Sequence, residues 1–254
     1  MNASPPLVTL HVWRVPRRAL GGALTRMALD PRRLRRLPGV RFGKLLGTGT
    51  GLSFGPGDAD LTRYAAVVSW DAADGGDLGV VGAAWDRLAQ SSARVDLTPI
   101  MSHGGWSGQK PFGESSRRPA SRPPGTASTD AGEPAGGFGR TGEMVLALTR
   151  ARLRAVKALT FWNAVPPVAR ELAGSPGLLA RFGVGEAPVG WQGTVSVWRS
   201  SADLTTFAYR QPEHRAVIER TAAVGWYAED LFARFAVRDI SGDRAVLGWR
   251  EGER

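Results

Sequence analysis

Three histidines, His11, His103 and His214, are the main candidates for metal or acid–base chemistry in a chain of 254 residues that contains no cysteine. The lack of thiols excludes disulfides, thiolate catalysis, zinc fingers, iron–sulfur clusters and any thiolate-ligated metal. No two histidines stand at metal-binding spacing, so a histidine-rich centre would have to be assembled across the fold with carboxylates completing it. His103 opens HGGWSG (103–108), which is like the oxyanion loop of some esterases. No G-x-S-x-G elbow exists, which argues against a hydrolase triad and leaves His103 as a loop residue. GTGTGLSF (47–54) is glycine-rich but lacks the Lys-Ser/Thr pair of a phosphate loop, and reads as a loop that approaches a ligand.

His214 differs from the other two. Pro212 suits the first turn of a helix, and in the following EHRAVIERTAAV the residues His214, Val217, Ile218 and Thr221 share one face. That turns the imidazole toward the interior, either as a hydrogen-bonded core histidine or as a ligand. His11 lies on a strand between Leu10 and Val12, on the face of Thr9 and Trp13, where it either lines a cavity or makes an ordinary hydrogen bond. Nine tryptophans are many for this length; Trp13, Trp70, Trp162, Trp198 and Trp226 fall in predicted elements. They either fill the core or, with Trp106, line a large apolar pocket.

The elements that must position these residues come in two copies. Residues 108–141 are rich in Gly, Pro and Ser and read as a flexible linker, poorly ordered over 113–140. Each flank opens with a strand-like run, LVTLHVWRV (7–15) and EMVLALTRA (143–151), and continues into an Ala/Leu/Arg-rich helical stretch. RFGKLLGTG (41–49) then matches RFGVGEAP (181–188), and YAAVVSW (64–70) matches GTVSVW (193–198). A helix and a last strand close each copy, VDLTPI (95–100) and LFARFAV (231–237). The order β-α-β-β-α-β is the ferredoxin-like unit. The expected fold is α+β: two tandem ferredoxin-like repeats, 6–107 and 142–254, packed sheet to sheet as a pseudo-symmetric α/β barrel around an enclosed space. A lone interior histidine beside such a space is what a haem iron needs from one side.

Lys and Arg total 33 against 23 Asp and Glu, a net charge of +10. The cluster Arg32, Arg33, Arg35 and Arg36 reads either as a solvated basic face or as a peripheral contact with an anionic membrane. No stripe of alternating aromatic and basic residues supports nucleic-acid binding. No run of 18 apolar residues occurs, and MNASPPLV lacks the charged start and apolar stretch of a secretory leader, so a cytoplasmic location is expected.

Several segments, in this order and spacing, resemble a known family: LVTLHVWRV (7–15), GVRFGKLLGTGTGLSF (39–54), PIMSHGGWSGQKPF (99–112), ALTRARLRAVKALTFWNAVPPVAR (147–170), RFGVGEAP (181–188), SVWRS (196–200) and WYAEDLFARFAV (226–237). Together they are similar to spheroidene monooxygenase, the acyclic carotenoid ketolase of purple bacteria. The resemblance implies a haem b cofactor, a monooxygenase reaction on a carotenoid or other apolar small molecule, and an external electron donor such as a ferredoxin or reductase. It also implies kinship with the haem-binding branch of the dimeric α/β-barrel superfamily, whose iron ligand sits on a helix of the second repeat. Only His214 meets that description; on the corresponding first-repeat helix, AAWDRLAQ (83–90), Asp86 takes its place. Trp106, Ser107, Gly108, Phe161, Trp162, Gly185, Glu186, Trp226, Glu229 and Arg234 stand in the similar motifs without an assigned role. Two alternatives accompany this expectation: haem-dependent nitrogen–oxygen chemistry like that of aldoxime dehydratase, and a non-catalytic haem or lipophile carrier.

Overall fold

The computed structural model describes residues 7–52, 56–71, 76–113, 143–186, 191–210 and 225–250. The first repeat runs β1 (Val8–Arg14), α1 (Leu20–Leu34), β2 (Val40–Gly49), β3 (Ala59–Trp70), α2 (Gly79–Asp86) and β4 (Ser91–Gly104). The second runs β5 (Val145–Leu153), α3 (Ala158–Gly174), β6 (Leu178–Gly185), β7 (Trp191–Trp198), α4 (Ser201–Arg210) and β8 (Tyr227–Gly242). Within each repeat the sheet order is fourth, first, third, second strand, all antiparallel. The two sheets join edge to edge at β2–β6 and β4–β8, closing one eight-stranded barrel in the order β1-β3-β2-β6-β7-β5-β8-β4. Closure removes every exposed edge, which is how two half-open sheets satisfy their backbone groups.

Period-two alternation decides what fills the barrel. Val8, Leu10 and Val12 of β1 point inward with Leu146 and Leu148 of β5, Val195 and Val197 of β7, and Leu231, Ala233 and Phe235 of β8. The opposite face of the first sheet sits under α1 and α2. There Trp13, Tyr64, Trp70 and Trp85 pack with Leu34, Leu45 and Val81 into a second core. A third, smaller core lies outside the second sheet, where Val145, Ala147 and Trp198 meet Leu172, Leu204 and Phe207.

The last strand of each repeat is longer than its apolar run predicts. β4 has 14 residues and β8 has 16, because they pair with each other along eleven positions and carry one another past the hydrophobic segment. The helix read at 83–90 spans Gly79–Asp86 instead, and its end brings Asp86 to the Trp13 indole N–H at 2.8 Å. His214 and its helix, and the linker from 114 to 142, lie outside the described residues.

Candidate functional site

Arg63 of β3 continues the inward series of Val67 and Ala65 and lies over the Phe182 ring at 4.9 Å, while a larger charged cluster forms where inward positions on β2, β5 and β8 and just past β6 carry charge. Arg150 follows Leu146 and Leu148 in the inward series of β5, and Glu229 precedes Leu231 and Ala233 in that of β8. Glu186 follows Phe182 and Val184 just past β6, and Lys44 lies between Phe42 and Leu46 on β2. Arg150 is almost wholly buried and bridges both carboxylates: its guanidinium donates to Glu186 Oε1 at 3.0 Å and also to Glu229 Oε2. Lys44 Nζ donates to Glu186 Oε2 at 2.6 Å, and the Trp106 indole N–H donates to Glu186 Oε1 at 2.6 Å. The guanidinium also lies over the Trp106 ring, 5.6 Å from its centre.

The loop after β4 is folded onto this cluster. Trp106 and Gln109 exchange backbone hydrogen bonds across a two-residue turn. Ser107 (φ +56°) and Gly108 (φ +72°) occupy its centre, the left-handed pair that a tight hairpin turn requires. Among the described residues Ser107 is the one non-glycine with positive φ. The turn presents two N–H groups to Glu229, that of Gly108 at 2.8 Å and that of Ser107, while Ser107 Oγ accepts from Lys44 at 2.7 Å. Burial pushes the Glu229 carboxyl up, but the Gly108 N–H, the Arg150 guanidinium and the Ser107 N–H hold it below the usual carboxylate range. Gly193 of β7 makes room for Arg150: a methyl at 193 would run into the Thr149 carbonyl and the Arg150 backbone.

The repeats differ here. Matching Trp70 to Trp198 through their strand pairings places Val12 opposite Arg150 in the pseudo-symmetry, and Ser91 opposite Glu229. Carried onto the neighbouring strands, the same match sets Gly47 opposite Gly185 and so Thr48 opposite Glu186. The ionic cluster therefore belongs to the second repeat, and the first contributes Lys44, Trp106, Ser107 and Gly108 to it.

A second asymmetry lies on the outer faces of the two sheets. Where the first repeat has His11 and Trp13 beneath its helices, the second has Thr149 and Ala151. Where the first has Ala66 and Val68 the second has Thr194 and Ser196, with Gly183 and Gly185 beside them on β6. This floor of small side chains is flanked by aromatic residues. Phe161 of α3 meets Trp226 and Tyr227 at ring separations of 5.6 and 5.7 Å, and Trp198 meets Phe207 at 5.3 Å. Trp226 is buried and donates its indole N–H to Thr160 at 3.0 Å. Small residues between aromatic walls suit a flat group lying between sheet and helices.

The residues singled out from sequence thus scatter. Trp106 enters the ionic cluster. Trp198 and Trp226 border the small-residue floor, and Arg234 points outward on β8 over the Phe232 ring. Trp162 lies on α3. His11 and Trp13 belong to the first repeat, stacked on each other at 5.7 Å, and line a cavity of about 490 Å³ with Asp77, Asp86 and Arg94. Buried, and with Arg94 nearby outweighing Asp77, the His11 imidazole has its pKa lowered to about 3, so it is neutral at pH 7. His103 is exposed near the end of β4. Arg150 and Lys44 escaped the sequence reading, although a charge at every-second-residue spacing from apolar neighbours was the available signal.

No protein-family profile matches the chain. Among curated proteins, a spheroidene monooxygenase from Rhodobacter capsulatus is 30% identical over 242 residues, covering 93% of this chain and 92% of its own. The chain belongs to the spheroidene monooxygenase family. It is, accordingly, an oxygenase. Spheroidene monooxygenase from Rubrivivax gelatinosus is 30% identical over 209 residues, covering 81% of this chain and 72% of the relative. That from Cereibacter sphaeroides is 28% identical over 213 residues, 81% of this chain and 58% of the relative. Among solved structures, an aldoxime dehydratase superposes with a TM-score of 0.59 at 15% identity over 94% of this chain and 84% of its own. A second, in complex with butyraldoxime, gives 0.54 at 14% identity, over 94% and 81%. Those likenesses concern the fold: this chain and the aldoxime dehydratases share the barrel of two ferredoxin-like repeats.

Proposed function

We propose that the chain is a haem-dependent monooxygenase that places oxygen on a carotenoid or another long apolar substrate. The observation that carries this reading is the asymmetry between the two outer sheet faces. Bulky His11 and Trp13 stand on the first, whereas Thr149, Ala151, Thr194 and Ser196 put a floor of small side chains under the helices of the second. A flat macrocycle suits that floor, and His214, in the segment that follows α4, is the residue proposed to ligate its iron. When bound, haem supplies oxygen activation; the two electrons needed to release the second oxygen atom as water come from an external donor such as a ferredoxin or reductase. The chain's own residues do the positioning. Arg150, Glu186 and Glu229 tie the ends of β5, β6 and β8 to the 105–108 loop and so hold Thr149 and Gly185, their immediate neighbours on the floor, in register. The spheroidene in the relatives' name, together with the apolar Phe161, Trp226 and Trp198 around the floor, supports a polyene.

The test is protein expressed with a haem precursor. A Soret band is expected for the wild type and for His11→Ala and His103→Ala, and its loss, with rescue by imidazole, for His214→Ala. Full haem retention with an unchanged ferric spectrum in His214→Ala overturns the ligand assignment. Turnover under labelled dioxygen is expected to put label into the product. An unlabelled product would assign the chain to nitrogen–oxygen chemistry, and no product to a carrier.

A further inference from the structure

We propose that the outer face of α1 docks the protein on an anionic lipid bilayer. The segment 17–37 holds seven arginines and one acidic residue, a net charge of +6 out of +10 for the whole chain. The single acid, Asp30, is fully buried and engages Arg33 at 2.9 Å and Arg26 at 3.6 Å. Arg17, Arg18, Arg32, Arg35 and Arg36 are exposed and have no carboxylate partner among the described residues. A basic surface that is only a solvated face normally alternates with acids or pairs across a helical turn; beyond the two pairs to buried Asp30, this one does neither.

Helical periodicity sorts the segment into two faces. Ala23, Asp30 and Leu34 are buried against the sheet, with Met27 partly buried beside them. The opposite face carries Thr25, Ala28, Arg32 and Arg36, flanked by Leu24 at 59% and Leu29 at 52% exposure. Two leucines left in solvent on a helix with unpaired arginines at both of its ends have the chemistry of an interfacial helix: the leucines enter the acyl boundary while the guanidiniums meet phosphate head groups. Charge complementarity selects a bilayer bearing anionic lipid. The exposed leucines set it apart from a nucleic acid, whose charged backbone does not reward them. The inference stands apart from the haem reading, since it uses no residue of the second repeat.

Purified protein is mixed with vesicles of phosphatidylcholine alone or with 30% phosphatidylglycerol, on the order of an anionic leaflet, and pelleted. Binding is expected to the anionic vesicles and to weaken as salt is raised. The triple variant Arg32→Gln/Arg35→Gln/Arg36→Gln should lose about 100-fold in affinity for them. Leu24→Ser/Leu29→Ser should abolish the binding that survives high salt. All these sites are exposed, and unchanged thermal midpoints verify folding. Equal binding to neutral vesicles, or indifference to both variants, overturns the proposal. So does tighter, variant-sensitive binding to duplex DNA, or variant-sensitive turnover with a soluble ferredoxin while vesicle binding persists; each hands the face to that partner.

Discussion

Arg150 is the side chain on which the interior of the second repeat turns. It is buried with two carboxylates, and removing one partner of such a set leaves the other charges uncompensated. Arg150→Met should therefore cost about 3–5 kcal/mol in chemical denaturation, whereas Arg150→Met combined with Glu229→Gln should recover part of that loss in a double-mutant cycle. Glu229 adds a pH dependence of known sign. Its carboxyl titrates lower in the folded protein than in the unfolded chain, so its contribution is full above the ordinary carboxylate pKa and fades as pH falls through the folded value. Glu229→Gln should flatten that acid limb. His11 acts over a different window. Its pKa falls from 6.5 to about 3 on folding, so the unfolded chain takes up a proton first, and stability drops as pH falls below 6.5 by up to ~1.4 kcal/mol per unit. Denaturation midpoints of His11→Leu should change less between pH 7.5 and 5 than those of the wild type; an equal slope would show that another group is titrating.

Strands make the elements most readable from sequence and also the most misjudged. The inward series Val8, Leu10 and Val12 and its counterpart Leu146 and Leu148 are visible as alternation, and the repeated Phe-Gly and Trp positions give the repeat order directly. Lengths were not visible, because β4 and β8 extend each other through backbone pairing that has no side-chain signature. The ionic cluster was half legible: Trp106, Ser107, Glu186 and Glu229 stood out as motif residues, but their meeting depends on the barrel closing, and Lys44 comes from a strand whose own run looks ordinary. Glycine requirements at the element scale are equally hidden. Gly104, at φ +84°, lies so close to the Asp230 carbonyl that a methyl would collide with it. Gly104→Ala should lower the thermal midpoint by several degrees, about 1–3 kcal/mol, and free the 105–108 loop, read as increased protease cleavage after Lys110.

For the whole molecule, the two repeats depend on each other for burial. The inner faces of both sheets form one apolar core, so neither repeat can hide its half alone. Residues 7–113 and 143–250 expressed separately should be unfolded or aggregated by circular dichroism and size exclusion, and should assemble when produced together; a folded, monomeric half would contradict a shared core.

The barrel's two seams are unequal: β4 and β8 share eleven register positions, β2 and β6 only three, Gly47 to Gly49 against Gly183 to Gly185. A ring with one long weld and one short clasp parts at the clasp. Native-state fluctuations should then part β2 from β6 long before they part β4 from β8, giving the molecule one direction in which its interior can breathe. Amide protons at the short seam would exchange with solvent deuterium fastest among the strands, while those of the long seam would wait for global unfolding.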